Sequence, residues 1–285
     1  MEMMELGSTG VMLPEIGLGT WKYSGGVEPL RRGIKLGAFL IDTAEMYRTE
    51  DVVGQAVKDI RDQTFIATKV LGSNLRYDQV MRAMEGSLKL LDMDYVDMYQ
   101  IHWSNSSVPI AETMRAMEAL VDSGRVKYIG VSNFSVGELE EAQAAMQQYP
   151  IVSNQVLYSL KRRGIERDLL TYCQDKHITV MAYTPLADGS LALGASSRRN
   201  EGGRVLRRAA RRLAGRGDGM TVLFDVAGEV GKTTAQVALN WCTSHPYVMA
   251  IPKSNSVGRT EENCLASGWR LSEEQVRRLD EAFPP

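Results

Sequence analysis

Short β-rich runs alternate with helix-patterned stretches along almost the whole chain, and that alternation is the strongest constraint on its fold. The strand candidates are 15–20, 39–42, 64–69, 96–102, 127–132, 151–155, 178–183 and 248–253, eight in all. Between them lie amphipathic segments with apolar residues at helical spacing. Segment 80–91 carries Val80, Met81, Met84, Leu88 and Leu91; segment 110–121 carries Ile110, Met114, Met117, Leu120 and Val121. Ser135 heads a third helix, 136–146, with Glu138, Glu140 and Glu141 early, where the helix dipole favours acids. Strand–helix alternation calls for parallel strands joined by helical crossovers. Eight such units close into a (β/α)8 TIM barrel, although the rhythm alone also admits an open doubly wound α/β sheet. A Gly-rich pair of turns across 6–14 predicts a small N-terminal β-hairpin.

The length, 285 residues, suits one barrel, so 1–285 is expected to be a single domain with a C-terminal helical tail. At 44% hydrophobic, the chain has material for a large core without a metal or disulfide staple. A net charge of −2 argues against a nucleic-acid partner. The three cysteines, Cys173, Cys242 and Cys264, contain no CxxC pair and read as free thiols of a reducing cytoplasm. The opening residues lack a signal-peptide pattern, and no run of about 18 apolar residues exists. A cytoplasmic monomer with no membrane partner is therefore expected.

Barrel enzymes carry their reactive groups at the C-terminal ends of the strands. Here those ends are polar in succession: Asp42 with Tyr47 after it, Lys69, His102, Ser132 with Asn133, Gln155, Tyr183, and Lys253 with Ser254. Consecutive strands ending this way imply a shared pocket. The first four make a proton device for a carbonyl, which needs a hydride at carbon and a proton at oxygen. Free tyrosine titrates near ~10, so a bare phenol is a reluctant donor. In this reading Tyr47 is the acid, Lys69 lowers its pKa, Asp42 partners Lys69, and His102 polarises the carbonyl. Plainer readings stand beside it: Asp42 as a cap, Tyr47 as a packing residue, His102 as a satisfied core histidine. His177 and His245 precede strands and read as structural. Two lookalikes fail. Gly17-Leu18-Gly19 runs into Thr20-Trp21 rather than a helix, and Gly231-Lys232-Thr233 has Val226 where a phosphate loop has its first glycine. Thr233 or Thr234 instead opens a helix over 235–242. No cysteine–histidine cluster marks a metal site.

Ile41-Asp42-Thr43-Ala44-Glu45-Met46-Tyr47, Thr68-Lys69-Val70 and Gln100-Ile101-His102-Trp103 resemble the tetrad motifs of the aldo-keto reductase superfamily, in particular its prokaryotic-type aldehyde reductases. Gly130-Val131-Ser132-Asn133-Phe134 is similar to the family's nicotinamide-facing segment. Ile251-Pro252-Lys253-Ser254, followed by Arg259, Glu262 and Asn263, resembles the element that grips the adenosine 2′-phosphate and adenine. The resemblance runs from Gly17-Leu18-Gly19-Thr20-Trp21 to about residue 270. It implies catalytic roles for Asp42, Tyr47, Lys69 and His102, and NADPH/NADP+ as cofactor. Cofactor contacts are implied for Gly19, Thr20, Trp21, Asp42, Ser132, Asn133, Gln155 and Tyr183, the last stacking on the nicotinamide. They are implied further for Thr184, Pro185, Leu186, Lys253, Ser254, Ser256, Arg259, Glu262 and Asn263. Substrate contacts are implied for Trp21, Tyr47, His102 and Trp103. Lys253, Arg259, the Ser254 hydroxyl and a helix starting near Val257 or Gly258 also make physical sense as an anion site, which favours NADPH over NADH.

Two departures from the family pattern stand out. Ser104 follows Trp103 where proline is usual. The long stretch 184–247 includes 196–216, with eight arginines and a single acid, Glu201. Val205, Leu206, Ala209, Ala210 and Leu213 give it the stripe of a solvated helix or lid; the alternative is a cover that adds positive charge near the cofactor phosphates. The expected activity is reduction of small aldehydes or ketones. The rival readings are an NADP-dependent alcohol or sugar dehydrogenase working mainly as an oxidant, a non-catalytic NADPH-binding regulatory barrel, and a sugar isomerase or aldolase without nicotinamide.

Overall fold

In the computed structural model, which describes residues 1–192 and 219–285, eight parallel strands stand in strict chain order. They are β3 (Leu18–Gly19), β4 (Leu40–Asp42), β5 (Phe65–Val70), β6 (Val96–Ile101), β7 (Val126–Ser132), β8 (Ile151–Leu157), β9 (Thr179–Tyr183) and β10 (Val248–Ala250). Bridges from Ile16 to Ala250 and from Gly19 to Lys253 join the first strand to the last and close the ring. The expected (β/α)8 barrel is thus the fold, and the open sheet is not. The Arg-rich 196–216 lies outside the described residues.

Two barrel strands fall short of expectation by more than one residue, both at the closing seam. Regular pairing of the first covers Leu18–Gly19 rather than 15–20, and the last ends at Ala250 rather than at Lys253. Pro252 has no N–H to continue the ladder and takes part only through its carbonyl, which accepts from the Gly19 amide at 3.2 Å. Gly19 permits this approach, since a Cβ there would lie 2.6 Å from the Ile251 carbonyl oxygen. The N-terminal hairpin also begins earlier than 6–14. Its strands are β1 (Met3–Glu5) and β2 (Met12–Pro14), with Gly7 and Gly10 taking the positive-φ positions of the connection.

The helices follow the predicted periodicities. In α3 (Tyr77–Leu91), Val80, Met84 and Leu91 are fully buried against the outer face of the sheet, as are Met114, Met117 and Leu120 of α4 (Ile110–Asp122). Each such side chain contributes roughly 1.5–3 kcal/mol relative to exposure. Ser135 caps α5 (Val136–Ala145) in a reciprocal box with Glu138, and Thr233 does the same with Gln236 for the helix Thr234–Thr243. No helix among the described residues is long and apolar enough to cross a membrane.

Inside the barrel, inward residues recur with period two. The lower layer is apolar: Leu40, Phe65, Ala67, Met98, Met181, Met249 and Ile251, with Leu6 and Leu13 of the hairpin packed against them. Two residues further along the same strands come Asp42, Lys69, Gln100 and Tyr183.

Candidate active site

The strand register delivers polar side chains to one end of the barrel. Lys69 pairs with Gln100 across β5 and β6, and Ser132 with Gln155 across β7 and β8. Lys69 is completely buried and donates to Asp42 Oδ2 and to the Thr43 carbonyl, both at 2.7 Å. A buried ammonium without such partners would cost several kcal/mol. Asp42 Oδ1 accepts from Gln155 Nε2 at 2.7 Å and from Gln100 Nε2 at 3.2 Å.

Tyr47 reaches this pair from a short 3-10 turn, Glu45–Tyr47, just past β4. Glu45 pins the turn by accepting from the Leu71 amide and from Asn74 Nδ2. Below it, the Thr49 hydroxyl bonds those of Thr20 and Thr43. The Tyr47 hydroxyl then lies 3.5 Å from Lys69 Nζ and 3.4 Å from His102 Nε2. Trp21 leans on the Tyr47 ring at 4.9 Å between centroids, and Trp103 stacks on His102 at 3.7 Å. Both tryptophans remain substantially exposed, at 45% and 40%. Asp42, Tyr47, Lys69 and His102 therefore meet, with aromatic walls open to solvent.

The charge states follow from burial. The His102 imidazole is pushed down to about 3, first by desolvation and then by Lys69, so it is neutral. Burial lowers the Lys69 ammonium while Asp42 and Glu50 oppose that. The expected acidification of Tyr47 is not what this geometry produces. Burial, then the Asp42 carboxylate and Tyr183, raise the phenol above its ordinary value. Lys69 gives its short hydrogen bonds to Asp42 and Thr43, and only a long one to the phenol.

The neighbouring residues form a continuous network with this group. Ser132 Oγ donates to the Gln155 carbonyl at 2.8 Å. Asn133, held at φ +61°, donates from Nδ2 to the His102 carbonyl and to Ser132 Oγ, and accepts from the Tyr183 hydroxyl at 3.0 Å. Thr20 Oγ1 donates to the Asp42 carbonyl, which ties β3 to β4. Thr184 begins a turn with Ala187; Pro185 is buried and Leu186 packs on the outer core.

The Lys253–Asn263 element sits at the closing seam. Ser24 and Asn255 exchange hydrogen bonds there, which fastens the loop after β3 to the loop after β10. Ser256 precedes the helix Val257–Cys264 without a side-chain cap, and Ser254 Oγ donates to the Ser256 carbonyl. Lys253 and Arg259 are exposed, and neither forms an ion pair among the described residues; Glu261 pairs with Arg32 instead. Asn263 is buried, and Glu262 Oε1 is buried with no partner among the described residues.

Gln100, Thr43, Thr49 and Glu45 join the site without having been assigned roles from sequence. Gln100 had a readable signal, because it falls between Met98 and His102 in the inward period of β6. The Thr43 carbonyl had none, since a main-chain acceptor carries no residue-type signature. Among the described residues, no group of three or more His, Cys, Asp or Glu side chains is placed to hold a metal.

Comparison with known proteins agrees with the geometry. The model of the aldo/keto reductase family matches residues 15–283. Methylglyoxal reductase YeaE of Escherichia coli is 38% identical over 97% of this chain and 93% of its own length. The thermostable aldo-keto reductase Tm1743, solved with the inhibitor epalrestat, superposes with a TM-score of 0.85 at 39% identity, covering 99% of this chain and all of that one. An aldo/keto reductase from Klebsiella pneumoniae, solved with NADP and acetate, gives a TM-score of 0.81 at 38% identity, covering 96% and 93%.

Proposed function

The chain belongs to the aldo/keto reductase family, and from that premise we propose that it reduces small aldehydes and ketones to alcohols with NADPH, Tyr47 supplying the proton. The observation that carries this is the convergence of the Tyr47 hydroxyl on Lys69 and His102, beside a fully buried Lys69–Asp42 pair.

The residues fit the dinucleotide. Lys253 and Arg259, lacking ion pairs among the described residues beside an uncapped helix start, suit a 2′-phosphate. The orphan Glu262 Oε1 suits an amino donor such as that of adenine. Ser132, Asn133 and Gln155 lie beside the tetrad, where a nicotinamide carboxamide needs hydrogen-bonding partners, and the Tyr183 ring offers a stacking face. The Klebsiella relative was solved with NADP. When bound, NADPH supplies the hydride to the carbonyl carbon. The protein's part is to place the carbonyl oxygen and give it a proton. His102, neutral, is an uncharged hydrogen-bond partner that orients that oxygen. Tyr47 is protonated at neutral pH as any phenol is, and burial raises its pKa further. A phenol is intrinsically a stronger acid than an alkyl alcohol, so it can pass its proton to the alkoxide being formed. Lys69 then offsets the negative charge left on the phenolate, and Asp42 keeps Lys69 charged. The whole of 1–285 acts as one catalytic domain in this reading.

Trp21 and Trp103 stand beside Tyr47 and His102 as apolar walls for a substrate; methylglyoxal, named for the E. coli relative, belongs in the panel. The test is NADPH consumption with short aliphatic, aromatic, sugar-derived and dicarbonyl aldehydes, native against Tyr47→Phe. The variant is expected to lose about 10²–10⁴-fold in kcat, the usual worth of a positioned proton donor. Equal rates for the two proteins overturn the assignment.

A further inference from the structure

Gln100 is fully buried on β6, with Lys69 in register on one side and Gly130 on the other. Its space depends on that glycine: a Cβ at Gly130 would lie 3.0 Å from Gln100 Cγ and collide with Ser153 Oγ. The Asp42 carboxylate only accepts hydrogen bonds, so the amide nitrogens of Gln100 and Gln155 must both face it. They meet at one oxygen, Oδ1, and Lys69 holds the other. Gln155 Nε2 also donates to Gln100 Oε1 at 3.4 Å. Both hydrogens of the Gln155 amide are thereby committed, to Asp42 and to Gln100. What Gln155 has left to offer is its Oε1, to which no described residue donates.

We propose that Gln100 is a positioning residue that fixes the Gln155 amide with its oxygen available to the nicotinamide carboxamide and, through Asp42, tempers the hold of that carboxylate on the Lys69 ammonium. This rests on the reductase reading above and adds a link that the tetrad lacks, since one side chain sets both cofactor binding and the proton device. In Gln100→Met the volume is kept, but Gln155 loses an acceptor and Asp42 a donor. Freed to rotate, the Gln155 amide presents a mixture of donor and acceptor. NADPH affinity is then expected to fall about three- to tenfold, the scale of one hydrogen bond. The groups facing the Lys69 ammonium are Asp42, the Thr43 carbonyl, Tyr47, Glu50 and His102, and of these only Asp42 loses a partner. A carboxylate relieved of a competing donor attracts a neighbouring ammonium more strongly. Lys69 therefore keeps its proton to higher pH, and the basic limb of the kcat profile moves up.

The experiment is a fluorescence titration with NADPH together with kcat against pH, for native, Gln100→Met, Gln155→Met and the double variant. The expected result is weaker binding in Gln100→Met, a double variant no weaker than Gln155→Met alone, and a basic limb displaced to higher pH. Gln100→Asn, which withdraws the amide by one methylene, supplies the same readouts if the methionine variant does not fold. Native-like affinity and an unmoved basic limb in a folded Gln100 variant overturn the inference and leave the reductase reading standing. A native protein that neither binds NADPH nor reduces any aldehyde overturns both.

Discussion

The floor and the mouth of this barrel are built by the same strands only two residues apart, yet they obey opposite rules. Leu40, Ala67, Met98 and Met181 pack below into a dry layer beside the hairpin residues Leu6 and Leu13. Asp42, Lys69 and Gln100, one inward step higher, share charge and hydrogen bonds, and Tyr183 beside them donates to Asn133. The floor gains stability simply by excluding water. The mouth buries an ammonium and a carboxylate, whose desolvation is repaid only by mutual pairing and added donors. Stability is thus concentrated at one end of the barrel, and chemistry at the other.

The largest expected effect breaks the mouth. Lys69→Met leaves the Asp42 carboxylate buried without its counterion, which costs roughly 3–5 kcal/mol, while kcat falls at least about 100-fold. Adding Asp42→Asn removes the stranded charge, so denaturant titration should recover most of the stability with no recovery of turnover. Recovery of both together would erase the distinction between the two layers.

Next comes the floor. Leu13→Ala removes a fully buried side chain beneath the barrel and should cost about 2–5 kcal/mol in urea unfolding. Turnover per folded molecule, measured at low temperature, should match native. A large loss of kcat in the folded variant would mean that floor packing sets the geometry of the mouth.

The smallest expected effect is an absence of change. With its pKa at about 3, His102 keeps one charge state from pH 5 to 8, and its ring resonances should stay fixed over that range. The same depression has a sign for stability. His102 is neutral when folded but takes up a proton near ~6.5 when unfolded, so its contribution is complete above that pH and declines as pH drops toward 3. His102→Gln should flatten that part of the acid-stability curve. A titration of the native His102 ring near 6.5 would show that the mouth is wetter than its burial implies.

Sequence and structure divide the credit along physical lines. Period-two alternation made the strand ends visible, and helical spacing made the outer stripe visible, because both are local consequences of backbone geometry. The four residues proposed for the proton device could be named in order, since Asp42, Lys69 and His102 are polar residues at strand ends and Tyr47 lies in the loop just after the first of them. Strand limits at the seam were misjudged, because ring closure between residues far apart in the chain, and not local propensity, decides where pairing starts and stops there.

The sign of the Tyr47 shift lay beyond the sequence as well. Residue types announce that a lysine and a tyrosine are neighbours; only the folded arrangement sets which acceptors take the ammonium's short bonds and how much water the phenol loses. Linear order thus determined the barrel, its polar end and the candidates for its reactive groups. The tertiary structure alone decided that Gln100 and Gln155 share one oxygen of Asp42 and that the phenol's pKa moves up rather than down, because hydrogen-bond partnership and desolvation depend on distances between chain-remote atoms.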